Sequence, residues 1–319
     1  MATHKPSLVH PTYKTKYRVG NWSEYERGLR GRGDVTIWFT GEAIEAWTPP
    51  TNGRRGGQRQ YSDLAIETAL TLRLVFHLPL RQTEGFVGSE LGLMGVFLDA
   101  PDHTTLSRRG RQLDVELRTR GSDGPIHLIV DSTGLEVVGQ GQWAAVKHGG
   151  QGIRGWRKLH LGVDETGVIV AEKVTDSTTD DAGVVPDLLD QVHVDVERFT
   201  ADGAYDKRPV YQALTGRGAT VAVPPSTTAV VSGTDTPAGR ARDATVLRVR
   251  AVGRCRWKKE SGYHCQAKAE NAFFRYKGLV GGRLRARQPD AQRIEARLAC
   301  NILNSMTELG APQSYSIGR

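Results

Sequence analysis

Acidic residues follow two apolar stretches of the chain, and their positions could bring carboxylates together at one edge of a sheet. Residues 126–130 are almost wholly apolar and come directly before Asp131, and residues 196–200 come shortly before Asp202. A strand this apolar is expected where both faces of a sheet are covered, and open α/β sheets bind ligands beyond the carboxyl ends of their strands. We therefore predict that each strand ends near its aspartate. Taken alone, Asp131 is better explained by an Asx turn that caps the backbone after the strand.

A third carboxylate, Glu270, is predicted to lie on a helix together with a phenol and a cation. Tyr263, Gln266, Glu270 and Lys277 are separated by three, four and seven residues, and this spacing aligns them on one helical face. An apolar stripe that would pack the helix against the sheet consists of Ala269, Ala272, Phe273 and Tyr276. For Glu270 alone, a solvated surface position is the simpler interpretation, but it weakens when three kinds of polar group share the face.

A short basic helix favours contact with nucleic acid. It is the third of three helices predicted within residues 61–113, which together favour a helix-turn-helix arrangement whose last helix enters the major groove. The side chains suited to phosphate or base contacts are Thr104, Thr105, Ser107, Arg108, Arg109 and Arg111. The alternative is a solvated basic helix.

A second basic segment, residues 147–160, interleaves cations with an aromatic side chain. This composition suits phosphate binding combined with base or sugar stacking. Its members are Lys147, His148, Arg154, Trp156, Arg157, Lys158 and His160. Trp156 could equally be a buried strand residue. Residues 248–259 form a third basic segment, and both segments are expected to contribute mainly phosphate affinity.

The composition of the 319-residue chain favours a globular protein with a polyanionic partner. It has 43 basic and 35 acidic residues and a formal charge of +8, a balance that favours nucleic acid. Its three cysteines lack CxxC spacing, so neither a disulfide framework nor a structural zinc site is indicated. No apolar run approaches the roughly 20 residues of a membrane span, and the N terminus lacks the apolar segment of a signal peptide. We therefore expect a cytoplasmic protein without a membrane partner.

The order of predicted elements favours an α/β fold. From residue 126 onward it is strand, hairpin, helix, strand, helix, strand, which suits an RNase H-like core with a mixed sheet flanked by helices. The predicted division is a basic arm and small mixed subdomain with a linker (1–60, including a strand at 35–39), a helical, helix-turn-helix-like region (61–120), a catalytic domain (121–310) and a tail (311–319). Residues 224–250, rich in Ser, Thr, Pro, Gly and Arg, predict a long loop.

Several dispersed motifs give the chain a resemblance to the DDE transposases of bacterial insertion sequences of the IS4 and IS5 type. The pattern Tyr-x2-Arg-x3-Glu-x6-Lys of that family is matched by Tyr263, Glu270 and Lys277, with Gln266 in the arginine position. The chain is also similar to the IS903-like branch of the IS5 transposases in residues 80–85, 105–109, 156–164, 202–206 and 257–264. These segments occur in the family's order and extend over nearly the whole chain.

The resemblance implies a site, a cofactor and partners. Asp131, Asp202 and Glu270 would be the catalytic triad and the ligands of Mg²⁺ or Mn²⁺, with two ions expected. Tyr263 and Lys277 would hold the DNA backbone, and Gln266 would face it with one ionic contact fewer than an arginine gives. The DNA would be the inverted-repeat ends of the element and its target, bound by a homodimer or larger assembly in the nucleoid.

Two other functions stay open on the sequence. One is a domesticated or decayed transposase that regulates by binding DNA without chemistry; the three carboxylates argue against it and Gln266 argues mildly for it. The other is an RNase H-like nuclease of structural DNA, which would share the site but need no joining step.

Overall fold

The fold is known from a computed structural model that describes residues 17–50, 53, 57–120, 124–138 and 155–317. Lys147, His148 and Arg154, most of the predicted arm and part of the predicted linker lie outside the described residues. Among the helices that the structure describes, none is long and apolar enough to cross a membrane.

The N-terminal elements are small and are fastened to the C-terminal end of the chain. They are β1 (Tyr17–Val19), α1 (Trp22–Gly31), a 3-10 turn (Val35–Ile37) and α2 (Gly41–Glu45), and β1 pairs antiparallel with β8 (Ser314–Ser316) from the predicted tail. The strand predicted at 35–39 is wrong. Asp34 caps the 3-10 turn by accepting from Thr36 N, and the turn leads Trp38 and Phe39 into the core, so burial outweighs the strand propensity of these residues.

Three helices follow as the spacing predicts: α3 (Asp63–Val75), α4 (Leu80–Leu93) and α5 (His103–Arg109). Ser62 caps α3 by accepting from Ala65 N, and Asp102 caps α5 by accepting from Thr104 N and Thr105 N. Such caps satisfy backbone donors that a helix start leaves unpaired. The arrangement of the three as a helix-turn-helix stays a prediction.

A mixed sheet forms the centre of the molecule, as predicted. Its strands are β2 (Ile126–Val137), β3 (Trp156–Val163), β4 (Ile169–Asp176), β5 (Val196–Thr200), β6 (Thr220–Ala222) and the short β7 (Arg283–Leu284). The order is β4-β3-β2-β5-β6, with β7 pairing to the far part of β2. β3 and β4 run antiparallel to their neighbours, whereas β5, β6 and β7 pair in parallel.

The prediction that the first central strand ends at Asp131 is wrong. β2 continues to Val137 because β3 pairs with it as far as Glu136, opposite Trp156. What ends near Asp131 is the pairing with β5, whose last partners are Ile129 and Thr200. Asp131 therefore lies where one edge of β2 becomes open.

The remaining helices are α6 (Val185–Leu189), α7 (Arg208–Thr215), α8 (Pro237–Val252), α9 (Arg254–Glu260), α10 (Ala267–Leu279) and α11 (Pro289–Glu308). The loop predicted over 224–250 is wrong in its second half, which is the helix α8. Thr236 caps this helix and Pro237 occupies its start, positions that both residues favour. Arg242 of α8 makes two bonds of 2.8 and 2.9 Å to Asp206, so a tertiary ion pair fixes the helix to the sheet side.

The two faces of the sheet are covered by separate hydrophobic clusters. Ile129, Leu135 and Leu161 pack on one face with side chains of α3, α10 and α11, while Leu128 and Val130 pack on the other with α6 and α7. Trp38 and Trp47 from the N-terminal elements belong to the first cluster. The N-terminal region thus shares a core with the sheet, and the predicted division at residues 60 and 120 stays a prediction.

Candidate active site

Asp131 lies on the open edge of β2, between two stretches of parallel pairing. β5 pairs up to Ile129, and β7 begins to pair at Glu136. The Asp131 carboxylate is half-buried, and its Oδ1 accepts from Ser132 N at 2.8 Å. Period-two alternation places Asp131 on the same face as Ile129 and Leu135, which is the face that α10 and α11 cover.

Asp202 follows the end of β5 and caps the next turn. Its Oδ1 accepts from Ala204 N at 2.9 Å and begins the 3-10 turn Gly203–Tyr205. Asp206, just past that turn, is held by Arg242. Because β5 pairs with β2 up to Ile129, the chain after β5 emerges beside Asp131. Each aspartate therefore uses one oxygen for a local cap, and within the described residues neither second oxygen has a hydrogen bond.

Glu270 reaches the same edge from α10. The stripe predicted to pack, Ala269, Ala272, Phe273 and Tyr276, is buried, which leaves Glu270 exposed in the first turn. Lys277, two turns later, donates from Nζ to Thr133 Oγ1 at 2.7 Å. This bond ties the exposed face of α10 to β2 close to Asp131.

The three carboxylates converge electrostatically. Burial first, and then the charges of Asp202, Glu270 and Asp181, raise the pKa of Asp131 to about 6 against the lowering effect of the Ser132 bond. Burial, and then Asp202, Asp131 and Glu270, likewise raise the pKa of Tyr263 to about 12. Like charges at short range disfavour ionisation, so one acidic region affects both Asp131 and Tyr263.

Sequence reasoning missed Asp181, the fourth acid of this region. Its Oδ1 lies 3.1 Å from Lys158 Nζ and 3.7 Å from His160 Nδ1, and Lys158 also donates to Thr179 O at 2.9 Å. Burial lowers the pKa of His160 to about 4, so this ring is neutral at pH 7. Lys158 was predicted to bind DNA, but it is half-buried and bound internally. No local motif marked Asp181, because β3 brings its partners from a distant part of the sequence.

The donors in this region suit a hard divalent cation. Mg²⁺ and Mn²⁺ prefer carboxylate oxygens, and the charges that raise the pKa of Asp131 belong to three further carboxylates. Among the same residues, no group of three His, Cys, Asp or Glu side chains is already arranged to hold a metal. In type and charge these residues nevertheless fit such an ion. To bind it, the second oxygens of Asp131 and Asp202 and the exposed carboxylate of Glu270 would have to move closer together.

Tyr263 lies at the edge of this acidic region, as the spacing predicts, whereas the side chain of Gln266 is buried inside the protein. Tyr263 belongs to a 3-10 turn before α10, with Lys258 Nζ 4.7 Å from its ring centroid. Gln266 is buried, and its Nε2 donates to Val130 O at 3.1 Å, while its Oε1 has no partner among the residues that the structure describes. The expectation that Gln266 faces DNA is wrong, because the 3-10 turn rotates it toward the open edge of β2.

Of the arginines predicted to contact DNA on α5 and in the turn after it, two are exposed and one is buried. Arg108 and Arg111 are exposed, but Arg109 is buried and pairs with Asp63, and its Nη1 donates to Tyr61 O at 3.0 Å. The expectation that Arg109 reads DNA is wrong, because helical spacing turns it toward α3.

A groove of about 510 Å³ lies along the part of β2 that follows Asp131, where Gly134, Glu136 and Val138 line it. Trp156 is half-buried in its wall, and its ring comes so close to Gly134 that an added Cβ there would lie 3.0 Å from it. Lys277, Arg283 and Arg285 also line the groove. Such a combination of an aromatic surface with cations suits an extended nucleic-acid strand.

Comparison with known protein families agrees with this geometry. Two family models, both described as "Transposase DDE domain", match residues 30–140 and 122–305. The second match covers more than half of the chain and contains the whole acidic region. DDE domains cut DNA with divalent metal ions, and the chain belongs to this family of transposases.

Proposed function

We propose that this chain is the transposase of an IS5-type, IS903-like insertion sequence. It binds the terminal inverted repeats of its element, cleaves phosphodiester bonds there and transfers the 3′-hydroxyl ends into target DNA. It acts on paired ends as a homodimer or larger assembly. The observation that supports the proposal is that the charges of Asp202 and Glu270 act on Asp131, which lies on the open edge of β2.

In this proposal the three carboxylates are the catalytic residues and hold two Mg²⁺ or Mn²⁺ ions. Such ions supply activation of an attacking hydroxyl or water and stabilise the leaving oxygen. Asp131 and Asp202 are held by backbone caps, so their second oxygens point from fixed positions. Glu270 adds its carboxylate from a helix whose buried stripe prevents rotation. Carboxylate repulsion, which raises the pKa of Asp131, is relieved when cations bind.

Side chains around the triad would hold the DNA backbone. Lys277 offers a charge on the exposed face of α10, and the phenol of Tyr263 stays protonated at neutral pH and can donate a hydrogen bond to a phosphate. The groove with Trp156 and Arg283 would accept the strand beyond the scissile bond. Arg108 on α5 and Arg111 in the turn after it are exposed and would contact phosphates or bases of the same end. Lys147, His148 and Arg154 stay predicted DNA contacts.

Gln266 bears on the alternative of a decayed transposase. Its departure from the family pattern was the one feature that favoured loss of activity. Because its amide bonds the carbonyl of Val130, directly before Asp131, the residue supports the site from inside. That role favours an active enzyme over a DNA-binding regulator without chemistry.

The test is cleavage of the DNA that flanks the gene by the purified protein. With Mn²⁺ or Mg²⁺ we expect nicks that map to the element ends, followed by products in which those ends are joined to target DNA. Ca²⁺, with its longer and looser coordination, should support end binding without cleavage. Nicks at branched DNA alone, with no preference for the ends and no joined products, would favour a structural-DNA nuclease and contradict the proposal.

A further inference from the structure

A second concave site lies between α3, α5 and α11, and it shares Arg285 with the groove along β2. It is a cavity of about 390 Å³ whose lining includes four arginines and a single carboxylate. The arginines are Arg73, Arg111, Arg285 and Arg287, and the carboxylate is Glu295. A volume of this size is in the range of small-ligand pockets. We call it the arginine cavity.

The positive charge in the arginine cavity is only partly compensated within the described residues. Burial lowers the pKa of Arg73, the charge of Glu295 opposes this shift, and the charge of Arg285 adds to it. Among the described residues the Nε of Arg73 is buried without a hydrogen-bond partner, no salt bridge includes any of the four arginines, and Arg285 donates from Nη1 to Leu78 O at 3.3 Å. A buried unpaired donor on a charged group is costly, so the folded protein retains a group that an anion would satisfy.

Two buried side chains of α11 fix the segment that carries Arg285 and Arg287. Glu295 accepts from Arg285 N at 2.8 Å and from Ala286 N at 2.7 Å. Gln292 donates to Ala286 O at 3.1 Å and to Arg287 O at 3.3 Å. Both Glu295 oxygens thus accept backbone bonds, and within the described residues the charge of this carboxylate acts on Arg73 and Arg285 without forming a salt bridge. The cavity is therefore organised before any ligand binds, which lowers the ordering cost of binding.

Much of the remaining wall is apolar. Leu70, Leu74, Leu106, Ile294 and Leu298 contribute side chains to the same cavity. A bare inorganic anion would leave this part of the wall unused, whereas a nucleoside attached to the anion would cover it. Guanidinium groups bind phosphate through paired hydrogen bonds and also stack on bases.

We propose that the arginine cavity binds a nucleoside monophosphate, either as a free nucleotide or as a nucleotide unit of DNA. Arg73 and Arg285 bind the phosphate from the half-buried side, Arg111 and Arg287 approach it from the exposed side, and the leucines contact the nucleoside. The site is separate from the triad, and its occupation needs no divalent cation.

The test is calorimetric titration of the full chain at low salt without a divalent cation. The probes are 2′-deoxyadenosine 5′-monophosphate, deoxyadenosine, inorganic phosphate and a short single-stranded oligonucleotide. We expect the monophosphate or the oligonucleotide to bind at least about tenfold more tightly than either deoxyadenosine or phosphate. Tight binding of the monophosphate itself assigns the site to free nucleotides, and binding of the oligonucleotide alone assigns it to DNA.

Amino-acid substitutions test whether the probes bind in the arginine cavity. Two substitutions should each weaken binding at least about tenfold. Arg73→Met keeps the apolar stem of the side chain but removes the guanidinium group, and Arg287→Gln changes an exposed residue with little risk to folding. Arg30→Gln on α1 is the matched control, since its exposed arginine pairs only with Glu26, and it should bind as the wild type. Glu270→Gln should also bind as the wild type, which separates this site from failure of the proposed cleavage.

Three results would overturn the proposal. One is the absence of binding by any probe at millimolar concentration. Another is equal affinity for inorganic phosphate and for the best nucleotide probe. The third is wild-type binding by both Arg73→Met and Arg287→Gln.

Discussion

The acidic edge of the sheet and the arginine cavity are both clusters in which one sign of charge predominates, and they differ in how the chain assembles them. At the acidic edge, Asp131, Asp202 and Glu270 come from elements that regular spacing predicts. In the arginine cavity, Arg73, Arg111 and Arg285 come from three distant segments and meet only through the packing of α3, α5 and α11. Both places have side chains that hold the backbone nearby, namely Gln266 at the acidic edge and Glu295 at the cavity.

The basic segment at 248–259 shows the opposite arrangement. Arg248 and Arg256 both pair with Glu260, and Arg254 donates to the carbonyl of Pro225. Their charges are largely used to hold α8 and α9 in place. The acidic edge and the arginine cavity differ from these ion pairs, because within the described residues no salt bridge includes Asp131, Asp202, Glu270 or the four cavity arginines.

The largest expected effect is at the acidic edge. Asp131→Asn, Asp202→Asn and Glu270→Gln each keep the shape of the side chain but remove a charged ligand, so each should lower end cleavage at least about 1000-fold, or ~4 kcal/mol of transition-state stabilisation. End binding, measured by gel shift, should be retained. The matched control is Asp190→Asn, whose exposed carboxylate pairs with Arg217. A triad variant that nicks end DNA at the control rate would remove that residue from the site.

The second effect concerns the support of the acidic edge. Gln266→Ala should lower the free energy of unfolding by about 1–2 kcal/mol, because the buried carbonyl of Val130 loses its donor. Gln266→Arg buries a charge at the same place and should destabilise further without increasing cleavage. Denaturant unfolding and the salt dependence of end binding measure both. A stable Gln266→Arg variant with a steeper salt dependence would show that this side chain reaches the DNA.

The third prediction sharpens the contrast between paired and unpaired arginines on α5. Arg109→Met should cost about 1–3 kcal/mol of stability, since Tyr61 O and Asp63 lose a buried partner. Arg108→Gln should leave the midpoint of unfolding unchanged but reduce the log–log salt slope of end binding by roughly 0.9. Identical unfolding curves for the two variants would contradict the assignment of Arg109 to the core.

The smallest effect is on stability as a function of pH in the cation-free protein. Because the pKa of Asp131 is raised to about 6, ionisation of Asp131 costs the folded state, and stability that is present in acid is lost as the pH rises through that value. A half-exposed carboxyl is partly screened, so we expect a loss of about 1 kcal/mol between pH 5 and pH 7.5. Asp131→Asn should lack this part of the loss, whereas Asp190→Asn should keep it. Parallel pH profiles for wild type and Asp131→Asn would contradict the raised pKa.

Much of the fold could be predicted from periodicity. The strand over residues 196–200, the three helices of residues 61–113 and the packing stripe of α10 depend on local patterns of apolar residues, which tertiary contacts reinforce. The start of helix α8 is marked by Thr236 and Pro237. The helix was nevertheless missed, because its packing depends on the distant Asp206. The extension of β2 beyond Asp131 was missed because the polar residues there are paired by β3.

The candidate site, like the fold, was predicted from the sequence only in part. Spacing was enough to place Glu270, Tyr263 and Lys277 near one another, because a helix converts sequence separation into angle. It failed for Gln266 because the segment before α10 is a 3-10 turn, in which the angle per residue is larger. Asp181 and the arginine cavity had no local signal, since their partners are distant in sequence and meet only in the folded chain.

The central claim is that Asp131, Asp202 and Glu270 form one divalent-cation site, and calorimetric titration of Mn²⁺ into the DNA-free protein tests it most directly. The wild type and Asp190→Asn should bind Mn²⁺ alike, and each of the three triad variants should lose at least about tenfold in affinity or lose a bound ion. Wild-type affinity and stoichiometry in all three triad variants would contradict the claim.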